Sequence, residues 1–127
     1  MRVLRDFPGE LIPVNPNAAT IAGKRAFPSL SAIRHPTDLA VLALPAQAAE
    51  SVLIDGARAG LRSAVIISGG FAEAGETRAA AQARIRDVCR ESGIRLLGPN
   101  TSGFVFDCLN VVWLAVAMCT IRSDSLF

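Results

Sequence analysis

Three short groups of residues in this chain are suited to holding an anionic ligand through the main chain. They are Asn15, Pro16 and Asn17, then Leu44 and Pro45, and finally Ser68, Gly69 and Gly70. Glycine has no Cβ, so main-chain N–H groups can approach a ligand closely, and a helix that begins after such a loop favours negative charge. Each group taken alone is also an ordinary turn or strand-to-helix connection. A binding site is therefore predicted only if the three groups meet in space.

Residues for acid–base or nucleophilic catalysis are scarce. His35 is the only histidine and Lys24 the only lysine, so no Ser-His-Asp or Cys-His arrangement can be completed with a second histidine. The three cysteines form an odd set without metal-like spacing, which excludes a disulfide framework and a zinc site of the usual pattern. We therefore predict that the chain has no catalytic residues and no metal ligands, and that its cysteines are packing residues.

Composition indicates one domain with helices packed on a sheet. The chain has 127 residues, of which 51% are hydrophobic and only 6% aromatic. Its formal charge of +2 is too small to imply a nucleic-acid partner. The first ten residues carry charges and a Pro-Gly pair in place of a signal peptide, and the apolar run Val111–Cys119 is shorter than the roughly 20 residues of a membrane helix. We predict a cytoplasmic protein without a membrane partner.

Strand and helix patterns alternate along the chain. Apolar runs predict strands at Leu11–Val14, Leu39–Leu44, Ala64–Ile67 and Ile94–Leu97. Three- and four-residue apolar spacing predicts helices at Ala46–Ala59, capped by Gly60, and from Thr77 as N-cap to Gly93. Alternation of this kind predicts an α/β fold in which helices cover a parallel sheet, and ligands of such sheets bind at the carboxyl ends of the strands. All three groups of candidate residues should then line the same edge.

Four motifs together carry a family resemblance, and their order and spacing matter more than any one of them. VNP, ALP, ISGGFAE and LLGPN follow the predicted strands in turn. This succession resembles the coenzyme A (CoA)-binding domain of the NDP-forming acyl-CoA synthetases, the family that includes acetate–CoA ligase (ADP-forming) and the succinyl-CoA ligase alpha subunit. The similarity runs from about Phe7 to about Val105, and it implies a Rossmann-like, three-layer parallel sheet.

The resemblance also implies a ligand and a set of contacts. CoA or an acyl-CoA would lie across the loops, with Asn15, Pro16 and Asn17 beside its nucleotide portion. Leu44 and Pro45 would pack against the ligand, and Ser68, Gly69 and Gly70 would supply close main-chain contacts. Family members often have a lysine at the position of Asn17, so Lys24 or Arg25 would have to replace that charge from nearby.

The chain departs from the family pattern at both ends. The family's first strand and its glycine-rich loop would lie before Met1, and their loss would leave the strands Leu11–Val14 and Ala64–Ile67 with unpaired inner edges. We therefore predict a partial CoA-binding domain over residues 1–105 and a divergent apolar tail over residues 106–127. One hypothesis is that Val111–Met118 fills the vacant central position. The other is a chain that folds poorly.

Several functions remain open at this point. The first is a CoA-binding fragment of an acid–CoA ligase that is inactive alone, because the family's phosphohistidine belongs to a following domain and His35 lies in a loop before a strand. A structural or interaction remnant is the second. The third is one piece of a split ligase or protein acetyltransferase, completed by the missing ligase domains or by an ATP-grasp subunit.

Overall fold

The computed structural model describes residue 7, residues 9–101 and the main chain of residues 105–106, 111–112 and 119–122. The strands are β1 (Glu10–Pro13), β2 (Thr20–Ile21), β3 (Lys24–Arg25), β4 (Leu39–Leu42), β5 (Ser63–Ile66), β6 (Arg95–Leu97), β7 (Val105–Phe106), β8 (Val111–Val112) and β9 (Cys119–Arg122). The α-helices are α1 (Ala46–Arg58) and α2 (Glu76–Ser92), and a 3₁₀ turn at Ala72–Ala74 precedes α2. The predicted alternation of strands and helices is thus confirmed between β4 and β6.

The main sheet has five strands in the order β1, β9, β4, β5, β6. Strands β4, β5 and β6 are parallel neighbours, each pair joined by a helix that crosses over one face. Strand β9 runs antiparallel to both β1 and β4, with Thr120 opposite Ile12 on one side and Ala40 on the other. Because both neighbours oppose β9, strands β1 and β4 point in the same direction as each other and as β5 and β6.

The position of β9 corrects two expectations about the sheet. The vacant position lies between β1 and β4, whereas β5 is paired on both sides, so the predicted unpaired edge of the Ala64–Ile67 strand was wrong. The tail does fill the vacancy, but with Cys119–Arg122: Val111–Val112 pairs instead with β7, and residues 113–118 lie outside the described part. The physical reason is that strand order depends on which edges meet, which the pattern within one strand does not reveal.

The core lies between the sheet and the two helices. Ala40, Leu42, Ala64 and Ile66 point to one face of the sheet and belong to the same buried cluster as Leu53 of α1 and Ile85 of α2. Helices α1 and α2 also contact each other, so the described helices form a layer on that one face. The cluster is closed by further side chains, among them Ile12, Val14, Leu30, Ala49, Leu61, Phe71, Cys89 and Ile94.

The opposite face of the sheet is buried at its centre as well. Val41 and Val65 have exposed fractions of 0% and 3%, as predicted for parallel strands that are covered on both sides. At the edge strand β6, Leu97 on this face is 46% exposed. The predicted second helical layer concerns residues outside the described part.

The helix ends show where local sequence rules held. Helix α1 begins after Pro45, and Gly60 follows it with φ of 78°. Helix α2 ends at Gly93, which adopts the left-handed conformation. Its start was wrongly predicted: the N-cap position is Gly75, and Thr77 lies inside the first turn. Within the described residues, no helix combines the length and apolar character that crossing a membrane requires.

Candidate functional site

The loops that follow β1, β4, β5 and β6 emerge at the same edge of the sheet. This follows from strand direction, because the four strands are mutually parallel and each loop leaves from a carboxyl end. The loops are residues 14–19, 43–45, 67–75 and 98–100. All eight candidate residues fall within them, so the convergence on which the site prediction depended is present.

Ser68 joins the loops after β4 and β5. Its Oγ donates a hydrogen bond to the Leu44 carbonyl oxygen at 2.5 Å and accepts one from the Leu44 N–H at 3.1 Å. The main-chain carbonyl of Ser68 accepts a hydrogen bond from the Asn100 N–H at 3.0 Å, which ties in the loop after β6 as well. Three loops are therefore held together at one residue.

An open groove lies between the first two of these loops. It has a volume of about 420 Å³ and is lined by Ala43, Leu44, Pro45, Ile67 and Ser68. The groove is shallow and open to solvent over most of its extent. Since the N–H and the carbonyl of Leu44 are both bonded to Ser68, the groove offers mainly apolar contacts to a ligand.

Two charged side chains, Glu73 and Arg78, order the loop after β5. The Gly70 N–H donates to Glu73 Oε1 at 2.6 Å, and Arg78 Nη1 donates to the Gly70 carbonyl oxygen at 3.1 Å. The side chain of Arg78 thus reaches back from α2 over this loop. At Gly69, an added Cβ would lie 3.2 Å from Glu73 Oε1 and 3.4 Å from Asn100 Oδ1, so the loop is closely packed there.

Main-chain hydrogen bonds also set the protonation of Glu73. Bonds to the backbone of Glu73 itself, then Gly70 and Phe71, hold the pKa of this carboxyl below its ordinary value, because they stabilise the ionised form. Glu73 therefore stays negatively charged at neutral pH. The carboxylate thus binds main-chain amides of its own loop.

A Glu73→Gln variant should reveal this interaction through its pH dependence. A carboxyl whose pKa is lowered on folding contributes stability above its unfolded-state pKa and loses it as pH falls through the folded-state pKa. Wild type should therefore melt at a higher temperature than Glu73→Gln at pH 7, and the gap should close as the solution is acidified through the carboxyl range. Thermal melts at a series of pH values measure the gap. Glu91→Gln, at the exposed far end of α2, serves as the control, and a gap that does not change with pH would contradict the prediction.

Gly98, which follows β6, was not among the candidate residues, although its motif had been noted. It adopts φ of 98°, and an added Cβ would overlap the carbonyl oxygen of Ile66 in β5. The peptide bond to Pro99 is cis, and Asn100 adopts a left-handed φ of 58°. This glycine lets the loop after β6 turn against the end of β5 and brings Asn100 to Ser68. The signal in the sequence was the motif LLGPN itself.

The loop after β1 is held by its own side chain. Asn15 Oδ1 accepts a hydrogen bond from the Asn17 N–H at 2.8 Å, and the Asn15 N–H donates to the Phe27 carbonyl oxygen at 2.8 Å. Asn15 is half-buried, whereas Pro16 and Asn17 are exposed. These bonds tie the group to its own loop and to the segment of Phe27, and strand β9 separates β1 from β4 within the sheet.

Of the two proposed replacements for a lysine at Asn17, Lys24 is poorly placed. Its Nζ lies 3.4 Å from the carbonyl oxygen of Leu11, toward the amino end of β1 and away from the loop edge. Arg25 lies over the ring of Phe27, with its guanidinium carbon 5.5 Å from the ring centre. Phe27 is bridged to Val14 at the carboxyl end of β1, so Arg25 is the cation nearer to the candidate site.

His35 and Cys89 lie away from the groove. His35 is exposed in the loop before the amino end of β4, at the edge opposite to the candidate residues. Cys89 is buried on the inner face of α2, beside a second cavity of about 370 Å³. Burial raises the pKa of its thiol, which therefore remains protonated. Among the described residues, no cluster of histidine, cysteine and carboxylate side chains is arranged to hold a metal ion.

With the edge described, similarity to known proteins decides the family. A family model described as CoA binding domain matches residues 1–107. The chain belongs to this family. The sequence of acetate–CoA ligase (ADP-forming) II from Archaeoglobus fulgidus is 40% identical over 97 residues, covering 76% of this chain and 14% of that protein. The predicted resemblance is thus confirmed.

Other relatives agree with the family assignment of this CoA-binding domain. Acetate–CoA ligase (ADP-forming) II subunit alpha from Pyrococcus furiosus is 30% identical over 111 residues, or 86% of this chain and 24% of that subunit. The solved structure of dinucleotide-forming acetyl-coenzyme A synthetase 1 from Ca. Korarchaeum cryptofilum, in complex with phosphate and ADP, superposes with a TM-score of 0.80 at 29% identity over 87% of this chain and 24% of that chain. The chain therefore spans between 14% and 24% of the length of these relatives.

Proposed function

We propose that this domain binds CoA or an acyl-CoA in the cleft formed by the loops at the carboxyl ends of β1, β4, β5 and β6. The observation that carries the proposal is the joining of three of these loops at Ser68, beside a groove of about 420 Å³. A preformed cleft lowers the cost of ordering a long, flexible ligand on binding. Family membership supports CoA as that ligand.

The contacts in this proposal follow the positions of the loops. Leu44 and Pro45 border the apolar groove and would pack against an uncharged part of the ligand. Gly69 and Gly70 would offer main-chain contacts. Asn15, Pro16 and Asn17, with Arg25 nearby, would lie beside the nucleotide portion. The proposal assigns ligand binding to this chain and places the phosphorylated histidine in a separate part, since His35 lies at the edge opposite to the groove.

A charge placed at the rim of the groove tests the site. Pro45 is exposed and precedes α1, where an acidic side chain interacts favourably with the helix dipole, so Pro45→Glu should not weaken the fold. Its carboxylate should repel the several negative charges of the CoA phosphates from across the site, and a repulsion of about 1 kcal/mol at low salt raises the Kd about fivefold. Calorimetric titration with CoA at low salt measures the change.

Pro45→Gln is the matched control, because it has nearly the same shape without the charge. Its affinity should fall between wild type and Pro45→Glu, and added salt should shrink the difference between the glutamate and glutamine variants. Wild-type protein that does not bind millimolar CoA would overturn the proposed function and favour a structural or interaction role. Equal affinity of the two variants would place the ligand away from Pro45.

The relatives support a second proposal, that this domain works as one part of an ADP-forming acid–CoA ligase. The Pyrococcus furiosus relative is named as the alpha subunit of such an enzyme, which implies further subunits there. We propose that the partner of this domain supplies the ATP-grasp part and the phosphorylated histidine. The isolated chain should not form ADP from ATP, acetate and CoA, whereas a mixture with its co-purifying partner should. ADP formation by the isolated chain would contradict this proposal.

A further inference from the structure

Ser68 differs from the other candidate residues in what its polar atoms contact. Its hydroxyl is bonded twice to Leu44, which lies 24 residues earlier in the chain, and its carbonyl oxygen accepts the bond from Asn100. The hydrogen bonds of Asn15 go to Asn17 and Phe27, and those of Gly70 go to Glu73 and Arg78. None of these partners lies in another loop of this edge. Ser68 is thus the point at which the loops after β4, β5 and β6 are fastened together.

The chemistry of a hydroxyl limits what Ser68 can do for a ligand. A serine hydroxyl carries a single proton, and here that proton is donated to the Leu44 carbonyl oxygen at 2.5 Å. Phosphate and carbonyl oxygens of a ligand require donors, and neither this hydroxyl nor the Leu44 N–H has a proton left to offer. The side chain of Ser68 is therefore engaged by the protein itself.

We propose that Ser68 is a positioning residue, whose hydroxyl holds the loop after β4 at the distance from the loop after β5 that CoA binding requires. This inference rests on the proposed function of the cleft. It concerns the hydroxyl alone and adds to the predicted main-chain contacts of Ser68, Gly69 and Gly70. Leu44 and Pro45 line the groove from the loop after β4, and Ile67 and Ser68 line it from the loop after β5. A change in the spacing of these two loops therefore alters the width of the groove.

Removal of the hydroxyl should loosen the site without unfolding the domain. In Ser68→Ala, the N–H and the carbonyl of Leu44 lose their hydrogen-bond partner and bond to water instead. The loops after β4 and β5 then move apart. The Kd for CoA should rise about tenfold. Ser68→Thr keeps a hydroxyl on the same carbon and should restore the affinity to within about threefold of wild type. Ser51→Ala removes a hydroxyl that bonds within α1, to the Ala48 carbonyl oxygen at 3.0 Å, and should leave the affinity unchanged.

Two measurements on the same proteins separate this inference from the function on which it rests. Amide hydrogen exchange without ligand should show Leu44 exchanging about tenfold faster in Ser68→Ala, while Leu42 inside β4 is unchanged. Calorimetric titration with CoA, at a temperature where all variants are folded, should show the loss of affinity in Ser68→Ala and its recovery in Ser68→Thr.

Faster exchange at Leu44 with unchanged CoA affinity would overturn the positioning role. Unchanged exchange at Leu44 would show that the hydrogen bond is not formed. A wild type that does not bind CoA would instead overturn the proposed function.

Discussion

A Thr120→Pro variant should lose its cooperative unfolding transition or melt at a much lower temperature than wild type. Thr120 lies in the middle of β9, opposite Ile12 of β1 and Ala40 of β4. Proline has no N–H and fits poorly inside a central strand, so the substitution removes a ladder hydrogen bond and distorts the pairing. A buried backbone group left without a partner costs about 1–3 kcal/mol, and a small domain has only about 5–15 kcal/mol of total stability.

A second variant removes β9 altogether. A chain that ends before Cys119 would expose the facing edges of β1 and β4, which together pair with every residue of β9. Thermal melts followed by circular dichroism measure both variants. Thr120→Ala keeps the amide N–H and is the matched control, for which a transition close to that of wild type is expected. A shortened chain that melts like wild type would contradict the central placement of β9.

Gly98→Ala should also be strongly destabilising, for a reason confined to the functional edge. Its Cβ would overlap the carbonyl oxygen of Ile66, and alanine at φ of 98° is strained even without that contact. The end of β6 must then move away from β5, which pulls Asn100 from the carbonyl of Ser68. We expect the conformational strain alone to cost about 1–3 kcal/mol, with the overlap added to it.

Gly93→Ala separates the two contributions to this loss. Gly93 also has a positive φ, of 75°, but nothing lies within 4 Å of the position its Cβ would take. It therefore pays the conformational cost without the overlap. Chemical denaturation of both variants gives the free energies of unfolding. The decrease relative to wild type should be larger for Gly98→Ala than for Gly93→Ala. Calorimetry on the folded fraction should show weaker CoA binding only for Gly98→Ala. Equal losses of stability would show that β6 and β5 accommodate the extra carbon.

These two predictions concern different parts of the structure, the centre of the sheet and the loops at one of its edges. Strand β9 holds β1 and β4 at a spacing of two strands, and thereby places the loop with Asn15 relative to the loop with Leu44. Gly98 and Ser68 act within the edge, where they hold neighbouring loops in contact. Damage to β9 should therefore affect the whole fold, whereas loss of the Ser68 hydroxyl should affect CoA affinity and leave the sheet intact.

Local patterns in the sequence determined the elements and the edge. The apolar runs at β4 and β5 and the helical spacing of α1 were visible because each depends on residues a few positions apart. Parallel strand direction then followed from the alternation, and it brought the motif-bearing loops to one side. The family motifs were readable for the same reason, since each is a short stretch at a strand end.

Only the tertiary structure decided which distant groups meet. The pairing of Cys119–Arg122 with both β1 and β4, the bond of Ser68 to Leu44 and the reach of Arg78 to Gly70 join residues whose identities alone suggest other partners. Serine, arginine and short apolar runs are common, and their hydrogen-bonding capacity is satisfied by whatever the fold places within about 3 Å. Sequence therefore predicted the edge at which the candidate residues lie, and the packing of strands and loops determined which residues bond to each other there and which strand closes the sheet.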